Sequence, residues 1–274
     1  LKKADVSYAG LKDRHAVTTQ WFSVWLPGKP DPDWTLLNSE NVKVLDSCRH
    51  NRKLRRGSLR GNEFSLVVRQ VEGDTSELEQ RLNAIQTYGV PNYFGEQRFG
   101  IDGQNLGKAE VMFGGKREKD RFKRSIYLSA ARSSMFNDVL SQRVAMNKWV
   151  DAIPGDVMLL NNSHSYFLAN DIDNEINQRL AEHDIHPSGP LWGRGELLSK
   201  GTVAELENEL ANKFKVFDVG LKNARLDQER RSLRLPVNNL RWQYSAKDKV
   251  LELSFFLPAG GYATAVLREI VKTQ

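Results

Sequence analysis

Residues 250–257, Val-Leu-Glu-Leu-Ser-Phe-Phe-Leu, have strand composition, and Pro258-Ala259-Gly260-Gly261 ends the strand. From about Tyr262 the apolar residues Ala263, Val266, Leu267 and Ile270 recur at spacings of three and four. A period of two that becomes one of 3.6 across four residues requires a fold in which helix packs against sheet. The same alternation occurs elsewhere. Phe64, Leu66 and Val68 alternate along a strand that opens at Gly61-Asn62-Glu63, and strands are also expected at residues 21–26 and 42–45. Asp74, Thr75 and Ser76 precede a helix with Leu78, Leu82 and Ile85 inward, which Gly89 and Pro91 end. Ser129 is expected to cap a helix with Ala131, Met135, Phe136, Val139 and Leu140 on its buried stripe. Asp173 and Thr202 are expected to cap two more helices, and residues 187–195 to form a tight loop between them. The fold class is therefore α+β, with a boundary near Gly89 where a glycine- and aromatic-rich stretch begins.

The loop after the short apolar run at residues 6–9 holds one carboxylate, Asp13, between Lys12 and Arg14 with His15 beyond. Cationic neighbours favour the charged form of a carboxylate, and a charged carboxylate can act as nucleophile or base. An Asx turn with solvated neighbours explains the same residues, and the loop alone favours that reading.

Charge points to the partner. The net charge is +6, a small surplus, but it is clustered. Residues 49–60 carry Arg49, Arg52, Lys53, Arg55, Arg56 and Arg60 with no acid, whereas an ordinary solvated face mixes signs. A polyanion explains such a run best, so these residues, with Lys12 and Arg14, are candidate contacts to an RNA backbone. A second cluster at residues 116–124 has six cations and two acids, and solvent or RNA accounts for it equally well. Phe64, just beyond the first run, is either core or a platform for a base.

Cys48 is the single cysteine, which excludes an internal disulfide and fits a reducing cytoplasm. The five histidines make no metal-ligand pattern; His183 and His186 alone are a weak pair, and no metal is expected. The glycine turn at 260–261 lacks both the Lys-Ser/Thr of a phosphate loop and the triple glycine of a dinucleotide fold. No apolar run suggests a membrane, and no signal peptide is evident. The first residue is Leu1, close to a strand, which suggests that an N-terminal segment is missing.

Six blocks together carry a resemblance. They are Ala9-Gly10-Leu11-Lys12-Asp13-Arg14-His15-Ala16-Val17-Thr18, Arg49-His50-Asn51-Arg52-Lys53-Leu54-Arg55, Gly61-Asn62-Glu63-Phe64, Pro91-Asn92-Tyr93-Phe94-Gly95-Glu96-Gln97-Arg98-Phe99-Gly100, Leu128-Ser129-Ala130-Ala131-Arg132-Ser133 and Leu257-Pro258-Ala259-Gly260-Gly261-Tyr262-Ala263-Thr264. In content and order the chain resembles the TruD family of tRNA pseudouridine synthases. The resemblance implies a mixed-sheet catalytic domain from residues 1–87 and 237–274, interrupted by a large α+β insertion over residues 88–236. It implies isomerisation of a tRNA uridine, at position 13 in bacterial members, with no cofactor. It makes Asp13 the nucleophile, Asn62 a contact to the target nucleotide, Phe64 the stacking ring where related synthases use Tyr, and Tyr262 a further nucleotide contact. A basic residue set against the catalytic Asp is common in related synthases, and Arg268 is one candidate. The partner is tRNA, and a monomer is the default. The alternative is a non-catalytic RNA-binding or RNA-folding protein on the same scaffold.

Overall fold

A computed structural model describes residues 5–13 and 15–272. The chain divides into two compact units, residues 1–62 and 63–274. In the first, β1 (Val6–Tyr8) pairs antiparallel with β2 (Phe22–Val24), with Ser7 and Ser23 opposite each other and their hydroxyls 2.7 Å apart. The expected strand at residues 42–45 does not form. The Asn38 side chain accepts from the Val44 amide at 2.7 Å and Ser39 N–H donates to the Val42 carbonyl, so local bonds use the groups that a ladder would need.

The second unit begins within β3 (Gly61–Arg69), whose burial alternates as its sequence does. Helix α1 (Leu78–Tyr88) buries Leu78, Leu82 and Ile85 and stops at Gly89, where φ is 73° and a Cβ would collide with the Leu235 carbonyl. Then come β4 (Val90–Pro91), α2 (Gln104–Phe113) and the 25-residue α3 (Arg121–Ala145). Helix α3 starts earlier than expected. Asp120 caps it, accepting from the amides of Phe122 and Lys123, so the cationic residues 121–124 are its first turn and Ser129 lies inside it. The stripe from Ala131 to Leu140 is buried as expected.

Next are β5 (Asp156–Leu160), β6 (Tyr166–Ala169), α4 (Asn174–Ala181) and β7 (Ile185–Leu191). Asp173 caps α4 as expected, through the Ile176 amide at 2.8 Å. Strand β7 replaces the expected loop. It pairs with β5 over Ile185 to Pro187 and with β8 (Glu229–Ser232) over Ser188 to Leu191, so it changes partners just after Pro187, and all but its last residue is buried. Helix α5 (Gly201–Lys213) contains Thr202 in its first turn instead of at its cap, and α6 (Lys215–Asn223) follows directly. The chain closes with β9 (Arg234–Leu235), β10 (Asn238–Ser245), β11 (Val250–Pro258) and α7 (Ala263–Ile270).

Two main cores result. One packs α1 and α7 on the β10-β11-β3 sheet, through residues such as Leu82, Ile85, Leu251, Phe255, Val266 and Ile270. The other surrounds α3 with Phe136, Leu140, Trp192, Phe217 and Leu233, and a smaller cluster lies at Met158, Leu180 and Ile185. The paired strands β4 and β9 lead the chain out of the first core and back into it. Two buried ion pairs brace the α3 region. Arg143 grips Asp156 with two bonds of 2.7 and 2.8 Å, and Arg230 grips Glu207 at 2.9 and 3.0 Å.

Candidate active site

In the first unit the Asp13 loop is anchored by its neighbour. Lys12 Nζ donates to Asn62 Oδ1 at 2.7 Å, joining residues fifty positions apart and placing the half-buried Asn62 beside the loop. Asp13 itself is exposed, and among the described residues no hydrogen bond or ion pair engages its carboxylate. Arg14 lies outside the described residues. The basic run follows β1. Gly57 N–H donates to the Ala9 carbonyl at 2.7 Å, Leu54 N–H donates to Ser23 Oγ at 3.0 Å, and the Arg56 guanidinium lies 5.6 Å from the Tyr8 ring centroid. Arg52, Lys53, Arg55, Arg56 and Arg60 are exposed. Arg49 differs, since its guanidinium is paired with Asp31 at 2.9 Å and donates to the Lys29 carbonyl. A surface pair of this kind is weak enough for a stronger anion to displace.

In the second unit Phe64, the fourth residue of β3, is half-buried and lies 5.6 Å from the Phe255 ring at an angle of 30°. One face of Phe64 is thus committed to the sheet core. Tyr262 stands at the N-terminus of α7, after the turn closed by a bond from Gly261 N–H to the Pro258 carbonyl at 3.0 Å. A Cβ on Gly261 would approach Leu235 Cδ1 to 2.8 Å, so the turn needs glycine there for close packing. Arg268 stands 4.7 Å from the Tyr93 ring centroid.

Around Tyr262 gather residues to which the sequence assigned no part in the site. Phe94 meets Tyr262 edge-on at 6.2 Å, and Asn137 holds the Phe94 backbone at both ends, accepting from its N–H at 2.9 Å and donating to its carbonyl at 3.0 Å. Gly95 packs closely here: a Cβ would lie 3.0 Å from Thr264 Oγ1 and in ordinary contact with the Tyr262 ring. Arg98 donates to Tyr262 Oη at 2.5 Å and to Ser129 Oγ at 2.9 Å. Arg231 donates to Asn92 Oδ1 at 2.6 Å and stacks 4.0 Å from the centroid of Phe94. Burial pushes the Arg231 guanidinium down to about 10, with Tyr262 opposing that shift and Arg98 adding to it, so it stays charged at neutral pH. The alternation of β8 separates Arg230, which turns to Glu207, from Arg231, which turns to Phe94. That alternation was the available signal, but it required knowing that residues 229–232 form a strand.

Among the described residues no group of three His, Cys, Asp or Glu is placed to hold a metal ion. No helix among them is long and apolar enough to cross a membrane.

The family model for tRNA pseudouridine synthase D (TruD) matches residues 1–109 and 120–270. A tRNA pseudouridine synthase D of Nitrosococcus oceani is 50% identical over 276 residues, spanning 100% of this chain and 77% of that protein. One from Methylococcus capsulatus is 50% identical over 273 residues, spanning 99% and 77%, and one from Aeromonas hydrophila is 47% identical, spanning 100% and 77%. A crystal structure of a candidate tRNA pseudouridine synthase D from Methanosarcina mazei superposes with a TM-score of 0.70 over 100% of this chain and 82% of its own, at 21% identity, which speaks to the fold. With a family model that spans nearly all of it and relatives half identical along its whole length, the chain belongs to the TruD family of tRNA pseudouridine synthases.

Proposed function

We propose that the protein isomerises a uridine in tRNA to pseudouridine, with Asp13 as the nucleophile and no cofactor. Similarity along the whole of this chain to enzymes named for this reaction, covering 77% of their length, is the observation that carries the reading. The reaction breaks the bond from N1 of uracil to C1′ of the ribose and forms one from C5 to C1′. N1 gains a proton and C5 loses one, so no oxidant, reductant or second substrate is consumed. Asp13 attacks or deprotonates the sugar, which releases the base to turn, and its exposed, unengaged carboxylate suits that work. Lys12, bound to Asn62, steadies the loop. Asn62 contacts the target nucleotide, Phe64 offers its outer face to the flipped base, and Tyr262 contacts the nucleotide from the start of α7.

Unstacking the uridine costs a few kcal/mol, which backbone contacts offset. Arg52, Lys53, Arg55, Arg56 and Arg60, with Lys12, Arg14 and Arg49, supply those contacts. The target is position 13, the protein works as a monomer in the cytoplasm, and metal is not required. The catalytic domain comprises residues 1–87 and 237–274, and residues 88–236 form the insertion. Incubation with unmodified tRNA, followed by mapping of pseudouridine, tests the reading. It predicts a new pseudouridine at position 13; tRNA bound but left unmodified would favour the non-catalytic alternative.

A further inference from the structure

Two guanidinium groups converge on one aromatic ring. Arg231, on β8, lies 4.0 Å from the Phe94 centroid, and Arg98 lies 5.4 Å from the same point and 6.0 Å from the Tyr262 ring. Their hydrogen-bond partners are neutral: Ser129 and Tyr262 for Arg98, Asn92 and the Gly260 carbonyl for Arg231. Among the described residues neither enters an ion pair, whereas Arg143, Arg230 and Arg132 in the same unit each meet a carboxylate. Arg234 also lacks an acid, but it is 3% exposed, closed off from a ligand, and donates to His186 and to two carbonyls. Arg98 and Arg231 are only half-buried, and among the described residues Nε of Arg98 and Nη1 of Arg231 make no hydrogen bond.

Like charges in a partly desolvated setting repel, and aromatic faces attract cations without neutralising them. An anion that received the unused donors would relieve the repulsion. The fork of a guanidinium matches the paired oxygens of a phosphate. We infer that Arg98 and Arg231 together seat one phosphodiester of the bound RNA strand, over Phe94 and at the lip of the turn that presents Tyr262. The inference rests on the reading that the chain acts on tRNA, and it deepens that reading by locating a backbone contact distant in sequence from the basic run of residues 49–60.

The test uses the whole chain and an unmodified tRNA, with Arg98→Gln and Arg231→Gln. Affinity is measured as a function of salt, and thermal unfolding is followed with and without inorganic phosphate at constant ionic strength. Each variant is expected to lower the slope of log affinity against log salt by about 0.7 to 0.9 and to weaken binding about fivefold near 0.15 M salt. Phosphate is expected to raise the Tm of the unsubstituted protein and not that of the variants, which without phosphate unfold at the same temperature as the parent or higher. Folded variants with an unchanged salt slope and affinity would overturn the inference. A phosphate effect on Tm without any change in tRNA binding would overturn the assignment to RNA. Should a glutamine variant fail to fold, the lysine variant decides, because it keeps the charge and loses the fork: weaker tRNA binding with the slope retained supports the seat, and unchanged affinity refutes it. A parent protein that neither binds nor modifies tRNA would instead refute the functional reading itself.

Discussion

Replacing Asp156 with Asn keeps the shape of the side chain and removes its charge, which isolates one interaction. Arg143 and Asp156 are 1% and 0% exposed, and their two parallel bonds are 2.7 and 2.8 Å long. Arg143 also donates to the carbonyls of Lys148 and Asp151, and Asp156 accepts from the Ile153 amide at 2.7 Å, so every side-chain nitrogen and oxygen of the pair is bonded. With the carboxylate gone, a guanidinium remains buried against an amide that can pair with only part of it. Breaking such a pair costs about 3 to 5 kcal/mol. For a cooperative unit of some 200 residues each kcal/mol lowers Tm by about 2 to 4 °C, so Asp156→Asn should lower it by roughly 6 to 20 °C. Denaturant unfolding gives the free energy directly, with an unchanged slope. The double variant Arg143→Met with Asp156→Leu should recover most of the loss, because apolar groups of similar volume replace a buried pair at little cost. A loss below about 1 kcal/mol, the range of exposed pairs, would refute the reasoning. The consequence reaches the site, since α3 also carries Ser129, Phe136 and Asn137, which hold Arg98 and Phe94.

Two further predictions concern pH and charge. Burial first, then the charges of Arg234 and His183, push His186 from 6.5 down to about 3, and among the described residues its buried Nε2 has no partner, so the folded protein keeps this histidine neutral. The stability it confers is complete above pH 6.5 and is lost as pH falls from there towards 3, by about 2 kcal/mol at pH 5. His186→Gln, which retains an acceptor for Arg234, should show that much less loss between pH 7 and pH 5 in urea titrations; an identical pH profile would remove His186 as the cause. Neutralising Arg52, Arg55 and Arg60 together should reduce the salt slope of tRNA binding by about 2 to 3, and an unchanged slope would mean that the run does not touch RNA.

Local signals disclosed the elements whose chemistry is local. Helix α1 was legible from its leading polar residues, from Leu78, Leu82 and Ile85, and from Gly89, which the structure holds at φ 73°. Helix α7 was equally plain, because Val266 and Ile270 mark its buried face. Strand β7 was not, because Pro187, Gly189 and Pro190 are turn residues by propensity, and the pairing with β5 and β8 that makes them a strand is non-local. The start of α3 was concealed by its charge, since Arg121, Lys123 and Arg124 read as a surface patch while Asp120 acts as the cap. Candidate site residues were recognisable as motifs, but their partnerships were not. Nothing local to Lys12 indicates Asn62, and nothing local to Arg231 indicates Phe94. Such contacts are products of tertiary packing.

The most direct test of the account is Asp13→Asn assayed for pseudouridine in tRNA. Asp13 is exposed and makes no bond among the described residues, so the substitution should leave Tm unchanged. The amide can neither attack the sugar nor take its proton, and the account predicts no pseudouridine even in single turnover, with tRNA affinity within a few-fold of the parent. Pseudouridine formed at the parental rate would contradict it.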